Sequence, residues 1–316
     1  MRWIRNSLYR PFTKNLLYFD DFWIEERYRQ PLLFPNPQAE NQNVAIGASL
    51  IASERPYFAF ATNVVPNYAF VGFGGAAQWF PFYVYDEDGK NRRENITDWA
   101  LKTFREAYGD KTISKWDIFY YVYAMLHHRG YREKFKDCLK RELPRIPFAG
   151  FVGATHGSPT KKGKGRASHD SPLQAFKAFV TAGEKLAKLH LDYEKLDPWP
   201  LKQAIKEGAK NTELWRVEKM RLSKDKKSLT VNEWVTLDEI PERCFEYRLG
   251  NRSALEWVID QYQVSEDKKS GIRSDPNRAD DPQYIVRLCK QVVRVSLETL
   301  DIIDSLPESY GGPLPR

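Results

Sequence analysis

The sequence predicts an α+β fold: a β-rich N-terminal part with mainly antiparallel strands, central helices, and a C-terminal α/β part ending in a long helix. Three observations predict it. The first 95 residues hold short aromatic and β-branched runs, punctuated at Pro11, Pro56, Pro66-Asn67, Gly74-Gly75 and Asp88-Gly89. From Thr97 the apolar residues recur every three or four positions, the helical period. The chain then closes on a sustained stripe of that kind, Ile285, Leu288, Val292, Val295, Thr299 and Ile302, which must pack on something large.

Within residues 1–95, strand-type residues are Trp3, Ile4, Leu8, Tyr9 and Leu16 to Phe19, followed by runs at 44–51, 57–62, 68–73 and 79–85. Residues 62–78 read as loop, strand and loop. Residues 96–200 turn helical. Thr97 can cap a helix carrying Trp99, Leu101, Phe104 and Tyr108, with Gly109 ending it. Ser114 and Asp117 form a capping-box start for a helix burying Trp116, Phe119, Val122, Tyr123 and Leu126, closed by Gly130. Tyr131, Phe135, Cys138 and Leu139 mark a third helix, stopping before Pro144.

Residues 153–170 fit no element. Gly and Ser there surround Lys161, Lys162, Lys164 and Arg166, which reads as a flexible basic loop that either touches phosphates or is simply solvated. Ser171-Pro172 starts a long helix with Leu173, Phe176, Phe179, Val180, Leu186 and Leu189 inward.

In residues 201–316, the stretches 214–220 and 228–237 alternate like paired strands around a polar turn at 224–227. Phe245 and Tyr247 suggest a short strand ending at Gly250. Asn251 or Ser253 caps a helix with Leu255, Val258, Ile259 and Tyr262 on its apolar face. A cationic loop follows over 265–281, with Gly271 and Pro276 as turn formers. Asp281-Pro282 opens the final helix, Asp281 as its N-cap, and the Pro/Gly-rich tail reads as loose.

Composition narrows function. With 42% hydrophobic and 14% aromatic residues the chain can bury a sizeable core. A net charge of +7 favours an anionic partner, nucleic acid first and an anionic membrane surface second. Cys138, Cys244 and Cys289 are odd in number and widely spaced, which argues against a zinc site or a secreted disulfide scaffold and for buried thiols in a cytoplasmic protein. No run of about 18 apolar residues predicts a membrane span. The N-terminus lacks a signal-peptide pattern and starts inside a strand-like run, so a fragment or separately encoded end of a longer system is expected.

Five histidines are present, His127, His128, His156, His169 and His190; the adjacent pair points in different directions on a helix and lacks the i, i+4 spacing of two metal ligands, so structural or surface roles are expected. No GxSxG, HExxH, P-loop or GxGxxG motif occurs, and Gly72 to Gly75 lack the strand–helix setting of a phosphate loop. The Asn/Asp-Pro-Pro-aromatic turn of amino-methylating DNA enzymes is absent, and Asp267-Lys268 does not make a nuclease metal set. No catalytic residue, metal site or cofactor is predicted.

Four stretches resemble one family. They are LYRPFTKNLLYFD (8–20), VPNYAFVGFGGAAQWFPFYVYD (65–86), YAMLHHRGYREKFKDCLKRELPRIPF (123–148) and YRLGNRSALEWVIDQYQVSEDKKSGIRSDPN (247–277). In that order they are similar to the C-terminal specificity region of Type ISP restriction-modification enzymes. Asn67 stands where relatives often carry Asp, and the segment around 155–169 looks like an extra loop. The resemblance implies recognition of a double-stranded DNA target for methyltransferase, helicase-like motor and nuclease parts supplied in cis or in trans, and no cleavage or methylation by this chain alone.

The residues suit that role. Arg and Lys pair with guanine edges, Asn and Gln with adenine, while other cations clamp phosphates. Lys268, Lys269, Arg273, Asn277 and Arg278 form one candidate set. Asn63, Asn67 and Gln78, placed on loops of the β-rich part, form a second, and the two sets would flank the duplex. Arg248, Asn251 and Arg252 suit either DNA contact or local capping and pairing. Two other readings stay open: a stand-alone nucleic-acid enzyme with an unrecognised site, and an interaction or scaffold domain in which the final apolar stripe is an exposed docking face.

Overall fold

The computed structural model, which describes residues 4–151 and 171–311 apart from residues 25, 87 and 209, opens on an antiparallel hairpin. Ile4–Arg10 (β1) pairs with Thr13–Tyr18 (β2). Phe12 sits in the turn with φ +57 and drives its ring inward, edge-on to Phe60 and Tyr193 at 5.2 Å each. Two one-turn helices, Gln30–Leu33 (α1) and Pro37–Glu40 (α2), follow; Arg5 Nε donates to Glu40 at 2.7 Å and ties α2 under β1.

Ala45–Ser49 (β3) is flanked by Ala59–Thr62 (β4) and, after the two-residue Val65–Pro66 (β5), by Ala77–Pro81 (β6), both antiparallel. β5 leaves that sheet and lies parallel to β1. The expected strand at 68–73 is a series of turns. Asn67 Oδ1 accepts from Ala69 N at 2.7 Å, and Gly72 and Gly74 adopt φ +85 and +72, which a strand cannot hold. Tyr83–Val84 (β7) and Arg93–Glu94 (β8) make a small hairpin.

Asp98–Tyr108 (α3) begins at Thr97 and ends at Gly109 as the sequence predicts, although Trp99 faces solvent. Lys115–Met125 (α4) starts from the Ser114/Asp117 capping box. Gly130 does not close it: α4 stops at Met125, and His128 Nδ1 caps Arg129–Lys134 (α5), inside which Gly130 lies. The third helix is therefore shorter than expected, and Cys138 beyond it is exposed, while Cys244 and Cys289 are buried. Pro172–Leu191 (α6) carries the Ser171/Gln174 capping box. Gly150, at φ +80, presses on Pro172; a Cβ there would stand 2.5 Å from the proline Cα.

Lys202–Ile205 (β9), Arg221–Leu222 (β10), Leu229–Thr230 (β11) and Val235–Asp238 (β12) form an antiparallel sheet in the order β10-β11-β12-β9. The stretch 214–220 is not a strand, because Leu214 ends the short helix Asn211–Leu214 (α7). Nor is 245–247: a 3-10 turn spans Glu242–Glu246 after Pro241, and the strand pair is Arg248–Leu249 (β13) with Arg252–Ser253 (β14). Of the two candidate caps, Ser253 starts Ala254–Gln261 (α8), boxed with Glu256. Ser265–Glu266 (β15) and Arg273–Ser274 (β16) turn the cationic loop into a hairpin. The last helix, Tyr284–Asp304 (α9), starts after Gln283; Asp281 instead accepts from Tyr284 N and pairs with Arg287.

Two large cores meet at β4, where strand alternation separates them. Phe58 and Phe60 enter a core with Leu8, the β9–β12 sheet, α8 and α9. Ala59 and Ala61 enter a second with α3, α4 and α6. Ile285, Leu288, Val292, Val295 and Thr299 are buried, so the apolar stripe of α9 is core, which removes the exposed docking face from consideration. His190 bridges the cores: Nδ1 meets Tyr123 Oη at 2.6 Å and Nε2 meets Thr299 Oγ1 at 2.9 Å, with Phe60 and Tyr247 stacked on the ring. Burial pushes its pKa down to about 3, so it is neutral. His127 and His128 are buried too, which fits structural roles.

Candidate nucleic-acid interface

The β15–β16 hairpin is fixed at tip and base by its own sequence. Asp267 accepts from the Lys269 and Ser270 amides at 3.0 and 2.8 Å, and Gly271 takes φ +68. These bonds hold the Asp267 carboxyl below its ordinary range, so it is ionised. Lys268 and Lys269 flank this turn in solvent. At the base Arg216 donates to Asp275 at 2.6 Å and to Glu218 at 2.8 Å, and Arg273 stands 3.9 Å from Glu218 with most of its guanidinium exposed.

Asn277 does not face outward. Its Oδ1 accepts from Val217 N and its Nδ2 donates to Val217 O, each at 2.8 Å, in the manner of a strand partner. Both edges that could read adenine are used within the chain. Arg278 lies with its guanidinium carbon 3.3 Å from the Tyr284 ring centre. The Tyr284 hydroxyl donates to Glu194 at 2.8 Å, and the other Glu194 oxygen meets Lys14 Nζ at 2.6 Å. Burial raises the Glu194 pKa, but Lys14, Tyr284 and Arg278 together hold it below the usual carboxylate value.

That chain of contacts leads to the second candidate set. Lys14 and Asn15 are consecutive on β2 and point to opposite faces. Asn15 lines a cleft of about 370 Å3 shared with Tyr9, Tyr28, Gln30, Asn67 and Tyr68. Here Asn67 N donates to Leu8 O at 2.9 Å and its Oδ1 caps the turn, which leaves the amide NH2 for another partner. Tyr28 and Tyr68 stack beside it with centroids 6.0 Å apart. Asn63 and Gln78 are half-buried, and Gln78 lies on β6, paired with Ala48, rather than on a loop. Lys161, Lys162, Lys164 and Arg166 lie outside the described residues.

The structure thus brings Asn67 and Arg278 to either side of the β1–β2 hairpin, keeps Lys268, Lys269 and Arg273 exposed on β15–β16, and turns Asn277 inward. Arg248 and Arg252 pair locally, with Glu256 at 3.8 Å and Asp260 at 3.2 Å. Sequence reasoning passed over Tyr9, Asn15, Tyr28, Gln30 and Tyr68. The signal was the Arg10-Pro11-Phe12 turn, which folds two strands onto each other with the polar residues Thr13 to Asn15 at the start of β2.

The family model of the Type ISP C-terminal specificity domain matches residues 2–288. The chain belongs to this family. Three solved structures are similar across nearly all of it. A nuclease-deletion mutant of the Type ISP restriction-modification enzyme LlaGI, in complex with a DNA substrate mimic, is 33% identical with a TM-score of 0.76, over 98% of this chain and 25% of that one. The ATP-dependent Type ISP enzyme LlaBIII, bound to DNA, is 30% identical with a TM-score of 0.77, over 98% and 18%. DrdV, seen by cryoEM in a DNA complex, is 34% identical with a TM-score of 0.78, over 97% and 28%. This Type ISP specificity domain therefore corresponds to about a quarter or less of the first two enzymes' length. No curated protein matches it significantly.

Among the described residues no group of three or more His, Cys, Asp or Glu could hold a metal ion, and none of their helices is long and apolar enough to cross a membrane.

Proposed function

We propose that this chain is the double-stranded DNA target-recognition module of a Type ISP-like restriction-modification system, acting in the cytoplasm and directing methyltransferase, motor and nuclease parts supplied elsewhere. The observation that carries the reading is the match of 97–98% of the chain to enzymes whose structures hold DNA, at 30–34% identity. The geometry supports a division of labour. Lys268 and Lys269, on a rigid exposed turn, act as phosphate clamps. Arg273 and the amide of Asn67 read base edges, and Tyr28 and Tyr68 present flat apolar faces beside them. Arg278 and Asn277 position these groups. Asn63, Gln78 and the 161–166 cations serve as further contacts. The chain itself performs neither cleavage nor methylation.

The test is duplex selection from a random library with the purified chain, followed by titration of the winners across salt. A defined non-repetitive site, bound with affinity that falls steeply as salt rises, is the expected result. Absence of binding at low salt overturns the proposal.

A further inference from the structure

A cavity away from the Asn67 cleft carries charge that the duplex reading does not use. It encloses about 580 Å3 between Pro56-Tyr57, the start of α5, the β13–β14 turn and the end of α9. Three arginines line it, Arg129, Arg132 and Arg248, against one acid, Glu246. Arg129 is answered by Asp304 at 3.0 Å and Glu246 at 3.7 Å. Arg248 has Glu256 at 3.8 Å.

Arg132 differs. Its Nε donates to Leu126 O, and the groups that bear on its charge are the hydroxyls of Tyr57, Tyr247 and Tyr123, with no carboxylate among them. Its guanidinium lies 5.4 Å from the Tyr57 ring centre. Two polar atoms of residues beside it, Tyr57 Oη and His127 Nε2, are buried without a hydrogen-bond partner. His127 Nδ1 meets Tyr123 O at 2.9 Å, so it carries the ring proton, and burial keeps the ring neutral.

A half-buried cation without a counterion is unfavourable. A ligand rich in acceptors meets that deficit. Arg132, Tyr57 and, at the mouth, Arg248 converge from three elements, which suits the oxygens of a tetrahedral anion better than a planar carboxylate. The volume exceeds that of bare phosphate and accommodates a group esterified to it.

We propose that this cavity is a phosphate-ester site, with Arg132 at its floor and Arg248 at its mouth. The ester is either a free nucleotide or a backbone phosphate of DNA, two sources of the same chemistry.

The test uses the full chain at constant ionic strength, with inorganic phosphate and a deoxynucleoside monophosphate as probes and thermal unfolding as readout. Both probes should raise the Tm of the wild type, and Arg132→Gln should weaken them at least tenfold. Arg248→Gln, at the solvent-exposed mouth, leaves the buried floor intact and should weaken them severalfold, so the proposal survives any misfolding of the Arg132 variant. A Tm insensitive to both probes, or a shift of equal size in folded wild type and both variants, overturns it. The sources are then separated by duplex binding across salt. A salt slope lowered by about one in Arg132→Gln identifies a backbone phosphate, and an unchanged slope with lost probe binding identifies a free ester. Because the first readout contains no DNA, failure of this site and failure of the target-recognition reading are told apart.

Discussion

Between α4 and α6 the backbones all but touch, since a Cβ on Gly183 would stand 1.9 Å from the Tyr120 carbonyl oxygen, whereas the β15–β16 hairpin is held to its neighbours by Arg216, Glu218, Asp275 and the amide of Asn277. The first contact is steric and apolar. It is indifferent to salt and admits one geometry. The second is built of exposed ion pairs and a few hydrogen bonds, each worth little in water, so the hairpin can re-pair its charges when an anionic partner arrives. A rigid helical layer carrying an electrostatically tethered loop is an economical way to present a reading head.

The contrast can be broken most severely at the helix pair. Gly183→Val should cost about 3 kcal/mol or more, as overpacking against backbone does, and urea unfolding with an unchanged m-value would check it. The next effect is in pH. His190 is neutral in the fold with a pKa near 3, while the unfolded chain titrates at the ordinary value of 6.5. The unfolded state therefore takes up the extra proton as pH falls through 6.5, and stability should drop by about 1.4 kcal/mol per unit from there toward pH 5. His190→Gln should make that limb shallower by His190's share in urea titrations at pH 7, 6 and 5, leaving the share of His127, whose pKa burial also lowers.

At the hairpin, Asn277→Ala should cost about 1–2 kcal/mol, because Val217 N and O lose their partner, and hydrogen exchange at Val217 should accelerate. Arg273→Ala should leave stability within about 0.5 kcal/mol and cost about 1 kcal/mol or more at one base position only, measured on a panel of single-base variants of the selected site. Lys268→Ala should do least, weakening all sequences alike and lowering the salt slope by about one. Uniform losses from both Arg273 and Lys268 would mean that the hairpin clamps without reading.

The same contrast explains what could be read in advance. Ser114, Ser171 and Ser253 start their helices as local capping rules require, because the bonds involved span three residues. The pairing of β5 with β1, and of β9 with β12, joins segments far apart in sequence, and no periodicity within either segment reports it. At the site, composition showed that Asn277 and Arg278 were polar and close together. It could not show that Val217 takes both edges of the amide, or that the ring of Tyr284 lies under the guanidinium. Orientation toward solvent is a tertiary fact, and the reading residues are the ones most dependent on it.

The contact between Gly150 and Pro172 brings residues 151 and 171 close together. A flexible segment inserted between two such neighbouring points affects stability only logarithmically with its length, about 0.6 kcal/mol per doubling. For protein engineering this is a splice port. A fluorescent reporter or affinity tag exchanged for residues 152–170 would meet the fold at the start of α6, the end away from His190, without stretching either flank.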